Sequence, residues 1–528
     1  MNNITISLPK IPFVENVLTK LEFEKIIVIL SSLISLASII YYTLQNEILS
    51  YGDAESHINI AKRVVDSLTP GFAQLGGVWL PLPHLLMVPL VWFDPLWRSG
   101  LGGSIISGIA FVVSCLFLYK LTLFITKNKN ASFFAFLVFA TNPNILYMQS
   151  TPMSELVLLV FFLLSTYYFM KYIQSKDSVF YLVIAAFFGF CAALSRYDGW
   201  SLVLFEAFLL IVYLISKKAS FSKIQGRVIM FSTLAFFAIA LWLGWCYLIL
   251  GNAFYFSTSI YSASSQQHNW LGRGELPAYH NIFVSFLYYF VTSMEITGVL
   301  LFLTTVIAIF LFIRNKEKRI LFYVLSLLFV PFLFNWATLF LGESVIFIQS
   351  LTPISFEWRL FNVRYGLMMM PYVAFILGYL YFKANAKGKA FLVGLTIFQL
   401  ALFFVGYQKV LTLSDATVGL SASRNPDAQL WLTKHYTKGL VLLDDYARTV
   451  SIIKSGIPMQ EVINVGTKPY YTDSFITPEK YATWIILQRN DDVWNHLYET
   501  QQEQNLLYTY FNKVYTSKEI LIFKRIGS

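Results

Sequence analysis

The densest group of reactive side chains in the sequence consists of Asp53, Glu55 and His57. On a helix, Asp53 and His57 would share a face because they are four residues apart, while Glu55 would point elsewhere. One of these carboxylates could act as a general base. The two carboxylates could instead hold a divalent cation, although two acidic ligands alone are a weak metal signal.

Glu155 and Asp198 each stand at the start of a long apolar run, and His84 follows two closely spaced prolines. Ionisable groups at the ends of apolar segments are costly to dehydrate and often mark a functional site. Each acid also has a structural interpretation, since a carboxylate in the first turn of a helix interacts favourably with the helix dipole. His84 could reach the same cleft as Asp53 or could be an ordinary interfacial histidine.

Arg196 and Arg364 also lie at the ends of apolar runs, and Tyr365 directly follows Arg364. A guanidinium can bind a phosphate through two parallel hydrogen bonds. The alternatives are that the arginines extend toward the membrane surface, or that they form internal ion pairs such as Arg196 with Asp198. These residue types suit an anionic ligand held beside a carboxylate.

Membrane-spanning helices must position these side chains, because the composition excludes a water-soluble chain. Of the 528 residues, 57% are apolar and 13% are charged, whereas soluble domains carry about 25% charged residues. The mean hydropathy is +0.61. A span needs roughly 20 apolar residues. On this rule we predict eleven spans, near residues 25–44, 99–125, 131–148, 155–173, 178–195, 199–216, 228–250, 282–313, 320–341, 364–382 and 390–408.

The apolar runs and the distribution of charge predict two domains. Residues 1–408 form a transmembrane domain whose first outer loop is 46–98. Residues 409–528 hold 25 charged residues in 120 positions and are predicted to form a soluble α/β domain. Within that domain, residues 512–524 are typical of a β-hairpin, and residues 426–435 are typical of a helix.

Positive charge predicts the orientation of the chain. The loops at 127–129, 171–177, 217–227, 314–319 and 383–389 contain 15 Lys and Arg residues and two acids. Under the positive-inside rule these loops are cytoplasmic. We therefore predict a cytoplasmic N-terminus and an extracytoplasmic C-terminal domain, and we favour a prokaryotic cell membrane over the endoplasmic reticulum. The net charge of +10 lies almost wholly in the membrane part, which argues against a nucleic-acid partner.

The order of these features resembles the GT-C-fold membrane glycosyltransferases. The shared features are an acidic motif in the first outer loop, surface helices beside it, a second acid after an Asn-Pro-containing segment (residues 141–155) and a C-terminal extracytoplasmic domain. The resemblance is closest to the protein O-mannosyltransferase and aminoarabinose-transferase-like branch. It implies a polytopic α-helical fold with about 11 transmembrane helices. It also implies transfer of a sugar, usually with inversion, from a polyprenyl-phosphate donor to a protein, lipid or glycan acceptor on the outer side of the bilayer.

The resemblance also implies roles for individual residues. Asp53 would be the base that deprotonates the acceptor hydroxyl, Glu55 or Glu155 would position the sugar or the acceptor, and the arginines would neutralise the departing lipid phosphate. Ala54 separates Asp53 from Glu55, whereas the branch often has adjacent acids, so either carboxylate remains a candidate for the base. The full set of predicted substrate-binding residues is Glu55, His57, His84, Glu155, Arg196, Asp198, Arg364 and Tyr365.

No metal or other cofactor is expected, since a phosphate can depart without one when cationic side chains meet its charge. A divalent metal remains the alternative, as in the related oligosaccharyltransferase catalytic subunit, but the sequence contains no Trp-Trp-Asp motif. A transporter or flippase of lipid-linked sugars is a further alternative, although transporters more often carry ionisable groups in the middle of spans. A non-catalytic assembly subunit is the remaining interpretation.

Overall fold

The computed structural model describes residues 23–175, 178–314, 319–422, 425–445 and 450–528. The N-terminal residues predicted to face the cytoplasm, together with parts of two predicted cytoplasmic loops, lie outside these ranges. The helices of the first half are α1 (Phe23–Leu44), α2 (Gly52–Val65), α3 (Leu82–Val91), α4 (Asp94–Arg98), α5 (Leu101–Thr126), α6 (Lys129–Ala140), α7 (Pro143–Met148), α8 (Glu155–Gln174), α9 (Val179–Ala193), α10 (Asp198–Ser216) and α11 (Phe221–Leu250).

The second half continues the helical bundle and ends in a small sheet. Its helices are α12 (Tyr255–Thr258), α13 (Ala263–Gly272), α14 (Ile282–Thr297), α15 (Val299–Arg314), α16 (Arg319–Leu328), α17 (Val330–Leu341), α18 (Met370–Lys383), α19 (Ala386–Phe404), α20 (Leu411–Val418), α21 (Pro426–His435), α22 (Tyr470–Asp473), α23 (Pro478–Tyr481), α24 (Asp492–Leu497) and α25 (Gln501–Tyr510). Its strands are β1 (Val441–Leu442), β2 (Val462–Ile463), β3 (Trp484–Gln488), β4 (Phe511–Thr516) and β5 (Ile520–Arg525). Three 3₁₀ turns lie at Phe72–Leu75, Val363–Met369 and Met459–Glu461.

The apolar helices confirm a multi-pass membrane protein. Within the described ranges, seven helices are long and apolar enough to cross a membrane, and the number becomes nine if two bent helix pairs are each one span. Nine of the eleven predicted spans coincide with these segments. The other two form the shorter helices α6 and α9. At 1.5 Å per residue, the 15 residues of α9 extend ~22 Å, which is less than the hydrocarbon thickness of a bilayer.

The predicted span at 131–148 is shorter because an Asn-Pro pair interrupts it. Proline has no backbone N–H and is favoured at the first position of a new helix. The side chain of Asn142 accepts hydrogen bonds from the N–H groups of Asn144 and Ile145 and so caps α7. The side-chain amides of Asn142 and Asn144 each donate to the carbonyl of Ile296 at 3.0 Å. This helix break is therefore bound to a second one near residue 298.

The second break divides the predicted span 282–313 into α14 and α15, which meet at an angle of 117°. Gly298 joins them with φ +104°, a backbone conformation that side chains with a Cβ rarely adopt. A Cβ at this position would lie 2.8 Å from Cγ of Gln399, so the turn also requires close contact with α19. Non-helical backbone at membrane depth is tolerated where protein covers it.

The C-terminal region forms the predicted small α/β unit. Its five-stranded sheet has the order β2-β1-β3-β5-β4. Strand β1 pairs in parallel with β2 and β3, whereas β5 is antiparallel to both β3 and β4. The predicted hairpin is β4–β5, and the predicted helix at 426–435 is α21. Both expectations are confirmed.

Helix α2 lies between the bundle and this sheet. Arg63 forms a buried salt bridge with Asp445, in the loop that follows β1. Glu55 accepts a hydrogen bond from the backbone N–H of Ile453 at 3.2 Å. The face of α2 that carries these two residues therefore contacts the C-terminal region, which leaves the Asp53 face for the bundle.

We expect Gly199→Ala to destabilise the protein because α10 starts in direct contact with α9. A Cβ at Gly199 would lie 2.2 Å from the carbonyl oxygen of Ala192, and such overpacking costs about 1–3 kcal/mol. The matched control is Gly244→Ala in α11, where a Cβ meets no atom within 4 Å. Thermal unfolding in detergent should show a lower Tm for Gly199→Ala and an unchanged or higher Tm for the control. Equal shifts would contradict this account of the packing.

Candidate functional site

Five charged residues from separate parts of the chain meet at one end of the helical bundle. Asp53 lies in the first turn of α2, Glu155 begins α8, and Asp198 begins α10. Arg196 precedes α10 by two residues, and Arg364 lies in the 3₁₀ turn that leads into α18. The convergence follows from the topology, because the ends of alternate membrane crossings meet on one side of a bundle.

Arg364 is at the centre of this group. Its Nη2 donates to Oδ2 of Asp53 at 2.6 Å, and its Nε donates to Oε1 of Glu155 at 3.2 Å. Its Nη1 donates to the hydroxyl of Ser421 at 3.2 Å. The three side chains of this ion-pair group are 8% exposed or less. Because an unpaired buried charge costs several kcal/mol, this pairing is required by the burial.

Arg196 completes the network from the opposite side. Its Nη1 lies 3.0 Å from Oε1 of Glu155, and its Nε lies 3.4 Å from Oδ2 of Asp198. Burial lowers the pKa of Arg196, but the carboxylates of Glu155 and Asp198 outweigh that effect and raise its pKa above the ordinary value. The guanidinium therefore stays charged. Three carboxylates and two guanidiniums leave one net negative charge in the group.

Glu155 bridges the two arginines with a single oxygen. Its Oε1 accepts from both guanidiniums, whereas its buried Oε2 has no hydrogen-bond partner among the described residues. The side chain of Glu155 is fully buried. An unsatisfied buried carboxylate oxygen is costly, so this oxygen is available to a hydrogen-bond donor from a ligand.

Two tyrosine rings contact the arginines. The guanidinium carbons of Arg196 and Arg364 lie 5.3 and 5.4 Å from the ring centre of Tyr365. The ring of Tyr51 lies 5.2 Å from Arg364 on the other side. At these distances an aromatic face attracts a cation. Tyr365 thus helps to hold both arginines in place.

His57 and His84 form a neutral pair beside the charged group. Nδ1 of His57 lies 2.8 Å from Nε2 of His84, so one imidazole N–H donates to the other ring. The pKa of His57 is lowered to about 4, mainly by burial; the two arginines add to this shift, and Asp53 and Glu155 oppose it. Burial also lowers the pKa of His84 well below its ordinary value. Both imidazoles are therefore uncharged at neutral pH, and His57 is the one that interacts with Asp53.

Glu55 does not join the group. As the helical spacing predicts, its side chain leaves α2 on the face away from Asp53 and His57, and it contacts residues 451–453 instead. Burial raises the pKa of Glu55, although hydrogen bonds from Ser451 and Ile453 oppose the shift. Of the predicted site residues, Glu55 is the one that the structure places against the C-terminal region.

Ser421 and Asp415 also contact the site, although nothing in their sequence context indicates it. Both belong to the segment that the composition assigns to the soluble domain. Asp415, on α20, is fully buried, with its Oδ2 3.4 Å from the hydroxyl of Tyr51. A third residue without a sequence signal is Asn335, whose amide lies 3.5 Å from Oδ1 of Asp198. Within the described ranges, no three His, Cys, Asp or Glu residues are grouped so that they could hold a metal ion.

An apolar groove lies between the segment at residues 72–85 and helix α11. It has a volume of about 480 Å³, and its walls include Phe72, Leu85, Leu194, Leu241 and Trp245. One of these wall residues, Leu194, is two residues before Arg196 in the sequence, which belongs to the charged group.

Comparisons with known proteins identify the fold. Residues 98–245 match the family model described as dolichyl-phosphate-mannose-protein mannosyltransferase. The crystal structure of ArnT from Cupriavidus metallidurans bound to undecaprenyl phosphate superposes with a TM-score of 0.52 at 11% identity, covering 93% of this chain and 98% of that one. The oligosaccharyltransferase of Archaeoglobus fulgidus in its apo form gives a TM-score of 0.50 at 10% identity, covering 96% and 75%. No curated protein sequence matches the chain.

The protein is therefore a multi-pass membrane protein with the GT-C fold. The matched segment runs from the end of α4 to near the end of α11, so it includes Glu155, Arg196 and Asp198. The resemblance to the protein O-mannosyltransferase and aminoarabinose-transferase branch, predicted from the sequence, is confirmed.

We expect Arg364→Met to lower the free energy of unfolding by about 3–5 kcal/mol, because it leaves a buried carboxylate at Asp53 without its cation. The matched control is Arg273→Met, which breaks the exposed pair between Arg273 and Glu357, whose side chains are 56% and 59% exposed. Exposed pairs contribute little, about 0–1 kcal/mol. Thermal unfolding of both variants in detergent checks the difference, and a similar small loss in each would show that the pairing at Arg364 is not stabilising.

Proposed function

We propose that this protein is a glycosyltransferase that moves a monosaccharide, a hexose or pentose, from a polyprenyl-phosphate-sugar donor to a hydroxyl group of a protein, lipid or glycan acceptor. The observation that carries the proposal is the convergence of Arg196, Arg364 and Asp53 in one buried group, together with an apolar groove whose wall includes Leu194, two residues before Arg196. This combination suits a substrate with a hydrocarbon tail, an anionic linkage and a reacting carbon.

The donor would bind with its tail in the groove and its phosphate at the arginines. The relative from Cupriavidus metallidurans binds undecaprenyl phosphate, which supports a lipid of this class. Arg364 now contacts Asp53, and Arg196 contacts Glu155 and Asp198. A phosphate entering between the arginines would offer each guanidinium a further anion, with bidentate geometry available.

The reaction would be a single displacement with inversion at the sugar carbon. Asp53 accepts the proton of the acceptor hydroxyl as that oxygen bonds to C1 of the sugar. The bond between C1 and the phosphate oxygen breaks, and its electron pair leaves with the polyprenyl phosphate. The guanidiniums neutralise the charge that develops on the phosphate, which is the electrostatic form of catalysis that enzymes use most effectively. Glu155, Asp198 and Tyr365 hold the arginines, and the neutral histidines offer hydrogen bonds to sugar hydroxyls.

Asp53 is the preferred base over Glu55. Asp53 is hydrogen-bonded to the arginine that would bind the phosphate, at 2.6 Å, whereas Glu55 is engaged with the backbone of Ile453. A base must lie within hydrogen-bond reach of the proton that it removes. The acceptor hydroxyl would attack beside the phosphate, and the contact of Asp53 with Arg364 supports Asp53 as the nearer of these two carboxylates.

We further propose that the site faces the extracytoplasmic side of a prokaryotic cell membrane, with the N-terminus in the cytoplasm. The basic loops at the opposite ends of the spans support this orientation. Residues 409–528 would form a separate domain on the same side as the site. The salt bridge between Arg63 and Asp445 supports this placement, because it joins that segment to the helix that carries Asp53.

We expect Asp53→Asn to reduce sugar transfer by about 10²–10⁴-fold, because the amide cannot accept the hydroxyl proton. Transfer is measured with purified protein, a panel of labelled undecaprenyl-phosphate sugars and native membrane extract as acceptor. Glu357→Gln is the matched control, since Glu357 is an exposed loop acid, and it should transfer sugar like the wild type. Full activity in a folded Asp53→Asn protein would exclude Asp53 as the base. Binding of a donor without turnover by the wild type would favour the transporter or flippase alternative.

We expect transfer to continue in a metal chelator, because two guanidiniums are placed to meet the phosphate charge. The assay compares wild-type turnover with and without a chelator, using the same donor. The expected result is unchanged turnover. Loss of activity that Mg²⁺ or Mn²⁺ restores would instead indicate a metal-dependent enzyme of the oligosaccharyltransferase type.

A further inference from the structure

Asp415 is a buried carboxylate that the proposed reaction does not use directly. It lies on α20, after the last apolar span, and is fully buried. Its Oδ2 is 3.4 Å from the hydroxyl of Tyr51, which itself donates to the carbonyl of Thr412 at 2.7 Å. Asp415 thus lies directly behind the residue that precedes α2.

The backbone of this segment is also bound to the start of α2. Tyr51 and Ala422 form an isolated antiparallel bridge, and the N–H of Gly52 donates to the carbonyl of Ser421 at 2.9 Å. Asp53 is the next residue of the chain. The position of Asp53 therefore depends on the segment that follows α20, although the two are more than 350 residues apart in the sequence.

The same segment supports Arg364. The hydroxyl of Ser421 accepts from Nη1 of Arg364 at 3.2 Å, and the ring of Tyr51 lies 5.2 Å from its guanidinium carbon. Both of these contacts are made by residues that hydrogen-bond to Asp415. One carboxylate thus contacts two side chains that in turn contact Arg364.

We propose that Asp415 is a positioning residue for sugar transfer: through Ser421 and Tyr51 it orients Arg364 and the first turn of α2, which carries Asp53. This proposal rests on the proposed function, because it assigns Asp415 to the arginine that would bind the donor phosphate. Asp415 itself touches neither substrate. A displacement of about 1 Å at a reacting group can reduce turnover by about 10²-fold, so a residue behind the site can control the rate.

The ionised form of Asp415 is the one that performs this role. The groups that face it are Arg364 from the turn before α18, Asp53 from α2, Tyr51 and, from α7, Tyr147. Burial raises the pKa of Asp415 to about 6, while Arg364 opposes the shift. Above this pH the carboxylate attracts Arg364 and accepts hydrogen bonds, and below it the attraction is lost. Turnover should therefore fall as the pH decreases through about 6.

The test compares Asp415→Asn with the wild type in the transfer assay across pH 5–8. We expect kcat/KM to fall by about 10²-fold and the ionisation near pH 6 to disappear from the profile. Glu206→Gln is the matched control, because Glu206 is another fully buried carboxylate but bonds to Ser165, eight residues along α10 from Asp198. It should keep the wild-type rate and profile. A merely structural role for Asp415 would change the Tm without changing the pH profile.

Wild-type kcat/KM with an unchanged pH profile in Asp415→Asn would overturn the proposal. If that variant does not fold, the same assay is made with Ser421→Ala, which removes one hydrogen bond to Arg364. We expect this variant to reduce kcat/KM by at least about tenfold. Wild-type kinetics in folded Ser421→Ala would equally overturn it.

Binding of undecaprenyl phosphate separates the two levels of inference. If the wild type binds this lipid but transfers no sugar, the proposed function is wrong. In that case, weaker lipid binding by Asp415→Asn than by Glu206→Gln still supports the positioning role of Asp415.

Discussion

The contact of Arg364 with Asp53 and Glu155 is the interaction on which the arrangement of this end of the bundle depends. A guanidinium and two carboxylates are buried there at 8% exposure or less, and each would cost several kcal/mol without its partners. The partners belong to α2, α8 and the turn before α18. The ends of these elements must therefore meet within hydrogen-bond distance, which restricts how the surrounding helices can pack.

Two interruptions of the membrane helices make this arrangement possible. The chain leaves helical geometry at Asn142 and at Gly298, and the amides of Asn142 and Asn144 connect the two places. The side-chain oxygen of Asn144 also accepts from the N–H of Thr412 at 3.0 Å. The breaks thus form a docking place for α20, which brings Asp415 and Ser421 to the arginines. Exposed polar backbone in lipid is costly, so the breaks occur where protein covers them.

Helix α2 connects the two parts of the protein through its opposite faces. Asp53 and His57 face the bundle, whereas Glu55 and Arg63 contact the loops of the C-terminal region. One helix thus joins the loops of the C-terminal region to the charged group by direct contacts on its two faces.

The sequence by itself determined the membrane fold, the segments that form most spans, the C-terminal hairpin and the helix ends at which charged residues stand. These features depend on local composition, because the length of an apolar run and the alternation of strand residues act over tens of residues at most. The separation of Asp53 and His57 from Glu55 likewise follows from the period of a helix. The sequence predicts eleven spans, and two of these are the shorter helices α6 and α9 in the described residues. Their lengths were not predicted, because the apolar composition of a segment does not show where its helix begins and ends.

Only the tertiary structure decided which charges pair. Arg364 is 311 residues from Asp53 and 209 from Glu155, so no local pattern could identify these partners, whereas the Arg196–Asp198 pair, only two residues apart, could be suggested from the sequence and is present. Asp415 and Ser421 gave no signal at all, since they follow the last apolar run within a segment whose composition is that of a soluble domain. Asp415 and Ser421 stand out only by their burial and by their short distances to Tyr51 and Arg364. Both properties arise from the packing of elements that are remote in the chain.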